Sequence, residues 1–339
     1  MWLNQVWFVL YVVILGGYVI LDGFDLGVGM LSPFVARTDH DRRVLLNSIG
    51  PVWDGNEVWL VLGGGALFAA FPIVYASLFS GFYLALMAVL LVLILRAVAI
   101  EFRSQRPGAR WRRTWDTFFT VSSTGIAFVL GVALANVLRG VPIDAQGNLT
   151  VEFTALFSPY ALALGVAAVL MLALHGGIFL TMKLEDDLLA RVEHLVPRLM
   201  VAFFVVMTAL VGWTLLLDEE FARNYRDRPW TAVFPAAAFV AVLVAWRSIR
   251  THAHGRAFTA SAAMIGLLMA SVAAALYPVM LPASNDPDRS LTIYNAASTS
   301  ETLTVMLVIA VIGLPFVLMY TGGVYYFFRG RVRLDEDSY

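Results

Sequence analysis

The 339-residue sequence has no cysteine, a single lysine (Lys183) and only five histidines, and just 14% of its residues are charged. Without cysteine there are no disulfides, no Cys-ligated zinc, no iron–sulfur cluster and no thiol nucleophile. A net charge of −1, from 23 basic and 24 acidic residues, leaves no basic footprint for nucleic acid. Charge is too scarce to cover two soluble domains, because soluble chains carry about 25% charged and about 45–50% apolar residues. Here the hydrophobic share is 60% and the mean hydropathy +0.78. Disorder, collagen and coiled coil are excluded by the same numbers. What remains is an integral membrane protein, all-α, since only helices and closed barrels satisfy the backbone in lipid and the apolar runs here are helix-length.

A spanning helix needs about 20 mostly apolar residues. Nine stretches qualify, at about 5–27, 54–74, 77–100, 117–138, 159–182, 198–217, 231–247, 258–280 and 302–327. They are expected to pack as helical bundles in one transmembrane domain, 1–339. The first is too long, and too rich in Gly and Asp at its far end, for a cleavable signal peptide. The outer turn between the second and third is almost absent. The longest connections are 30–53 and 281–300, and Pro278 and Pro282 stop the eighth helix. Gly16 and Gly17 in the first helix, and Gly63, Gly64 and Gly65 in the second, read as points of close helix approach.

Basic residues set the orientation, because positively charged loops stay cytoplasmic. With the N-terminus outside, the inner segments hold seventeen of them: Arg37, Arg42 and Arg43; Arg103, Arg106, Arg110, Arg112 and Arg113; Lys183, Arg191 and Arg198; Arg247, Arg250 and Arg256; Arg329, Arg331 and Arg333. The outer segments hold five, namely Arg139, Arg223, Arg226, Arg228 and Arg289. The expectation is N-terminus out and C-terminus cytoplasmic.

Charge at membrane depth is expensive and points to function. The first helix closes on Leu21-Asp22-Gly23-Phe24-Asp25-Leu26-Gly27, where Asp22 and Asp25 share a face. The second opens on Trp53-Asp54-Gly55-Asn56-Glu57-Val58-Trp59, with Asp54 and Glu57 at the same spacing. Both ends lie on the cytoplasmic side, so four carboxyls converge at one level, flanked by Trp53 and Trp59. They could cap helix ends, where the macrodipole favours anions, or pair with loop arginines. As a set they read better as a proton relay, since clustered carboxyls shielded from water repel one another and can load and release protons.

Arg96, near the inner end of the third span and followed by Glu101, reads as a snorkelling or acid-pairing residue that can tune the relay. His175, the one histidine inside a span, reads as an interhelical hydrogen bond rather than a haem ligand. Ser298-Thr299-Ser300-Glu301 fits a capping box opening the ninth helix. Asn136 reads as a cap or interhelical bond. Trp2, Trp7, Tyr325, Tyr326, Phe327 and Phe328 read as interfacial belts. No spaced histidine pair, Ser/His/Asp set or nucleotide motif is present, so neither a catalytic residue nor a bound metal is expected in this chain.

These motifs resemble subunit II of cytochrome bd-type quinol oxidase. The resemblance rests on Asp22–Gly29, Asn47–Trp59, Gly64–Ala70, Phe79–Tyr83, Arg96–Glu101, Tyr277-Pro278, Ser290–Ile293 and Asn295–Thr299. It runs end to end, with 140–260 matching mainly in hydropathy. It implies a heterodimer with subunit I in the bacterial cytoplasmic membrane, electrogenic oxidation of quinol and reduction of O2 to water. The b-type and d-type haems would be held by subunit I, and this chain would carry no redox centre of its own. A structural quinone, a small single-helix subunit and bound lipid are further companions it implies. Asp54 matches the helix-2 aspartate of a proton path, Asp25 its companion and Trp53 a flanking tryptophan; Glu57 and Asp22, with Arg96 and Glu101 alongside, complete the expected path. Some family members carry Gln where Glu57 stands. A proton-coupled secondary transporter is the alternative, though the Gly/Asp interruptions have no counterpart in a second half. An inert scaffold for subunit I is the third reading.

Overall fold

The computed structural model describes residues 1–217 and 225–334. Arg223, counted above among the outer arginines, lies outside the described residues. Eleven helices carry the described chain: α1 (Trp2–Val35), α2 (Asp39–Ile49), α3 (Trp53–Ala70), α4 (Pro72–Gly81), α5 (Tyr83–Phe102), α6 (Ala109–Arg139), α7 (Pro159–Lys183), α8 (Asp186–Leu217), α9 (Val233–Arg250), α10 (His254–Leu276) and α11 (Ser300–Phe327). Eight of them are long and apolar enough to cross a membrane. The eight do not include α3, the second of the nine expected spans, which is 18 residues long and opens on Asp54, Asn56 and Glu57.

Helix α1 is the hub, touching α3, α6, α7, α10 and α11. Its second half runs through the interior, where every residue from Asp22 to Ser32 is buried. That corrects its expected end at residue 27. The DGFD motif lies inside a 34-residue helix, about 30 Å from its start at 1.5 Å per residue. Antiparallel hairpins α5–α6, α6–α7, α7–α8 and α9–α10 surround it.

Other boundaries differ from expectation, α6 and α8 starting at Ala109 and Asp186 rather than at 117 and 198. The stretch 54–74 breaks at Phe71, whose ψ of 63° is not helical, and α4 fills the supposedly absent outer turn before α5 starts at Tyr83. Phe71 is wholly buried in an apolar cluster with Val141, Ile143, Leu281 and Ile293, so tertiary packing holds the break. At that end a short antiparallel pair forms, β1 (Val279–Leu281) with β2 (Leu291–Thr292).

The stretch 30–53, expected as a connection, is the last turns of α1 followed by α2. A capping box starts α2: Asp41 N–H donates to Thr38 Oγ1 at 3.1 Å and Thr38 N–H to Asp41 Oδ2 at 3.3 Å. Asp41 Oδ2 also accepts from Arg37 N–H and from Arg191 Nη1 of α8, both at 2.8 Å. Beside it Arg103 reaches Asp116 at 2.6 Å and Asp39 at 2.7 Å, tying α2, α5 and α6 together. Partial burial opposes the charge on Asp41, but the hydrogen bonds from Arg37, Thr38 and Arg191 outweigh it and hold the carboxyl well below its ordinary range. A depressed carboxyl contributes stability above the unfolded value near 4 and loses it as pH falls through the folded value. Asp41→Asn should therefore cost about 2 kcal/mol near neutral pH, since it removes charge-assisted bonds. The gap from the parent should close as pH is lowered below about 4, read by thermal unfolding in detergent. An equal gap at both ends of that range would contradict this account.

The glycines divide sharply. A Cβ on Gly17 would lie 2.7 Å from the Trp59 ring and one on Gly63 3.0 Å from Leu15, so these two are close-approach points as expected. Gly16, Gly64 and Gly65 have nothing within 4 Å and are not. The tightest approach of backbone to backbone at these glycines is between α1 and α7, where a Cβ on Gly27 would fall 2.2 Å from Leu172 O.

Candidate functional site: a buried carboxylate cluster

Three helices bring the site together. Asp22 and Asp25 project from α1, Asn56 and Glu57 from the first turns of α3, and Arg96 from α5. Asp22, Asp25 and Arg96 are wholly buried and Asn56 nearly so. Arg96 Nη2 lies 2.6 Å from Asp22 Oδ1, and Arg96 Nη1 3.8 Å from Glu57 Oε2. Arg96 is thus acid-pairing and does not snorkel.

Asp25 is held differently. Its Oδ2 accepts from Asn56 Nδ2 at 2.7 Å, and Asn56 Oδ1 in turn accepts from Tyr325 Oη at 2.7 Å. Asp25 Oδ1 is buried with no hydrogen-bond partner among the described residues, and so is Tyr18 Oη. Three carboxyls surrounding one guanidinium carry more negative than positive charge unless protons are held among them. Leaving that surplus uncompensated in a buried site is costly.

Asp54 is placed elsewhere. It is exposed on α3, one turn from Glu57 and close enough for their charges to interact. The same surface shows Val58 and Val61, 55% and 72% exposed, so an acid stands on an otherwise apolar helix face. Trp53 and Trp59 are buried, the latter against Gly17. Glu101 is exposed at the end of α5 rather than gathered with Arg96.

A cavity of about 500 Å³ lies at the arginine-rich end, lined by Asn47, Ser48, Lys183, Tyr325, Arg331 and Arg333 among others. Tyr325 belongs both to this cavity wall and to the hydrogen-bonded row leading to Asp25. Lys183 Nζ donates to the Phe328 carbonyl, which ties the chain after α11 to α7.

A scan against family models matches residues 3–328 to cytochrome bd terminal oxidase subunit II. The chain belongs to that family. It is 35% identical to subunit 2 of cytochrome bd-I ubiquinol oxidase from Escherichia coli K12, over 98% of this chain and 96% of that one. It is 36% identical to subunit 2 of cytochrome bd ubiquinol oxidase from Bacillus subtilis, over 98% of each. The structure of bd oxidase from Geobacillus thermodenitrificans has the same fold, with a TM-score of 0.81 over 97% of this chain and 99% of that chain at 18% identity. This subunit II is a multi-pass protein of the bacterial cytoplasmic membrane and part of a respiratory oxidase, and the transporter alternative is not favoured.

Haem belongs to cytochrome bd complexes, and His175 is the one wholly buried histidine among the described residues of this subunit II. His175 Nδ1 is 2.8 Å from Ser261 Oγ and Nε2 3.0 Å from the Ile20 carbonyl, with the ring stacked on Phe258. Both nitrogens are engaged, so the side chain serves as the expected interhelical bond and does not fit an axial ligand. Asn136 bonds the carbonyls of Val132 and Leu156, joining α6 to the turn before α7.

Two expectations are corrected at the helix ends. Thr299 caps α11 through the Thr302 N–H, which moves the cap one residue past Ser298 and leaves Glu301 in the first turn. Trp7 and Tyr325 are not belt residues: Trp7 is buried and donates to the Leu303 carbonyl, and Tyr325 joins the site. Sequence reasoning missed Asn56 and Tyr325 as site residues. Asn56 stood in plain view inside Trp53–Trp59, an amide one residue from Glu57 in an apolar helix. Tyr325 gave no signal, because pairing across 269 residues is visible only in the fold.

Proposed function

We propose that this chain serves a quinol:oxygen oxidoreductase as the subunit that delivers protons toward the haems of a partner, subunit I. The overall reaction takes two quinols and one O2 to two quinones and two waters, and the four protons consumed come from the cytoplasm. The haems supply the redox chemistry when the complex is assembled, and we assign all of them to the partner. This chain's own residues then hold and pass protons. Asn56, fixed by Tyr325, orients Asp25 so that one oxygen is anchored and the other stays free to take and give a proton. Arg96 holds Asp22 in place through their 2.6 Å contact, and Glu57 bridges the interior to Asp54 at the surface. We place the ninth crossing at α3, the N-terminus outside, and the partner against the face of α3 that shows Asp54, since an acid on an apolar helix face needs protein cover in lipid.

One observation carries this reading: a buried carboxyl with a free oxygen, tied through Asn56 to a tyrosine lining a basic cavity. Asp25→Asn and Asp54→Asn should each lower quinol-driven oxygen uptake about tenfold or more, the scale of losing a proton-transferring side chain. Haem content per complex should stay at the parent level. Full turnover in both variants would remove the proton role and leave the scaffold reading.

A further inference from the structure

The geometry points to a metal site that the oxidase chemistry does not use: we propose that Glu193, His252 and His254 bind one zinc ion at the arginine-rich end of the protein. Glu193 lies in the second turn of α8, and the two histidines flank Ala253 in the turn from α9 to α10. His252 Nδ1 is 2.9 Å and His254 Nε2 3.5 Å from Glu193 Oε1. One donor atom from each of the three side chains lies within 4.8 Å of the others.

Two imidazoles and one carboxylate form a donor set that zinc takes with a fourth position left for water. With zinc bonds near 2.0–2.1 Å, tetrahedral donors stand roughly 3.3 Å apart. The His254–Glu193 spacing is already close to that, and the others need only side-chain rotation. Glu193 and His254 are half-buried, which limits competing solvent, and His252 is exposed enough to admit an ion.

The backbone adds a second argument. His252 sits at φ +52° just past the end of α9, where Ala253 N–H closes on Ser248 O at 2.9 Å. Helix ends of this kind favour glycine there, and a side chain in the left-handed region costs about 1–2 kcal/mol. An imidazole kept in that position, aimed at a carboxylate on another helix, serves the contact rather than the turn. Helix α8 touches α9 only lightly, so an ion here would clip the α9–α10 hairpin to α8. Arg331, near enough for its charge to reach His254, is itself drawn toward Glu185 at 3.8 Å.

The ordinary alternative is a surface ion pair between Glu193 and protonated histidine. The two are separated on the complete complex, purified with its partner subunit, stripped with chelator and equilibrated with ZnCl2. Zinc is then counted by mass spectrometry alongside haem iron. One zinc per complex should be retained by the parent at micromolar free zinc. His252→Ala, His254→Ala and Glu193→Gln should each weaken it tenfold or more, while His194→Ala and His40→Ala leave it unchanged. Zinc should also raise the unfolding temperature of the parent but not of the His252→Ala complex, whose haem content and elution volume certify its folding. Equal zinc retention by all variants, or none by the parent at 0.1 mM zinc, would overturn the proposal in favour of the ion pair.

Discussion

Arg96→Gln is expected to abolish most recovery of the assembled complex. The guanidinium is wholly buried, 2.6 Å from Asp22 and 3.8 Å from Glu57, and it is the positive group among three carboxyls. Removing one partner of a buried pair costs about 3–5 kcal/mol, because the other charge is left without compensation. Total stability of a domain is only about 5–15 kcal/mol, so such a loss empties the folded population under mild stress. The measurement is haem absorbance per milligram of membrane protein, followed by the rate of thermal inactivation. Asp22→Asn introduced into the same variant should restore much of the yield, since it removes the orphaned charge while keeping polar groups that hydrogen-bond. A parent-like yield for Arg96→Gln alone would show that the ion pair does not hold α1 to α5.

The second large effect is steric. Gly27→Ala and Gly176→Ala should each destabilise the bundle more than any other glycine-to-alanine change in α1 or α7. A Cβ at Gly27 meets Leu172 O at 2.2 Å and Gly176 Cα at 2.7 Å, and one at Gly176 meets Gly27 Cα at 2.6 Å. These are backbone atoms, so no rotamer relieves the collision and the helices must part. Overpacking of this kind costs about 1–3 kcal/mol and more where backbones collide. Parting α1 from α7 also shifts Asp22 and Asp25 against Arg96, so oxygen uptake per haem should fall together with the melting temperature. Gly16→Ala, with nothing within 4 Å, is the matched control and should leave both intact. Equal melting temperatures for Gly27→Ala and Gly16→Ala would show that the α1–α7 contact has room to spare.

These two expectations also mark how far a sequence reading reaches. The acids of DGFD and WDGNE announced themselves by being charged within apolar runs, and their three-residue spacing set their faces on each helix. Asp22, Asp25 and Glu57 do meet around Arg96. Asp54 and Glu57 share the same spacing, yet one faces outward and the other inward. At 3.6 residues per turn, residues three apart diverge by about 60°, enough to straddle the edge of a buried stripe. Helix ends were read less well. An apolar count stops α1 at Gly27 and runs the second span through Phe71. In the fold, burial of Gly27–Ser32 extends α1, and packing of Phe71 among Val141, Ile143, Leu281 and Ile293 breaks the helix where composition alone would continue it.

Sequence alone determined that the chain lives in a membrane, that its helices bring scarce acids to one level, and which family it resembles. Those properties follow from composition and local spacing, which survive any arrangement of the helices. Tertiary structure decided which acid receives the arginine, that Asn56 and Tyr325 hold Asp25, and which glycines touch. It also set Glu193 beside His252 and His254. Each of these joins residues far apart along the chain, and only the packed helices, through distance and exclusion of water, settle which of many polar groups become partners.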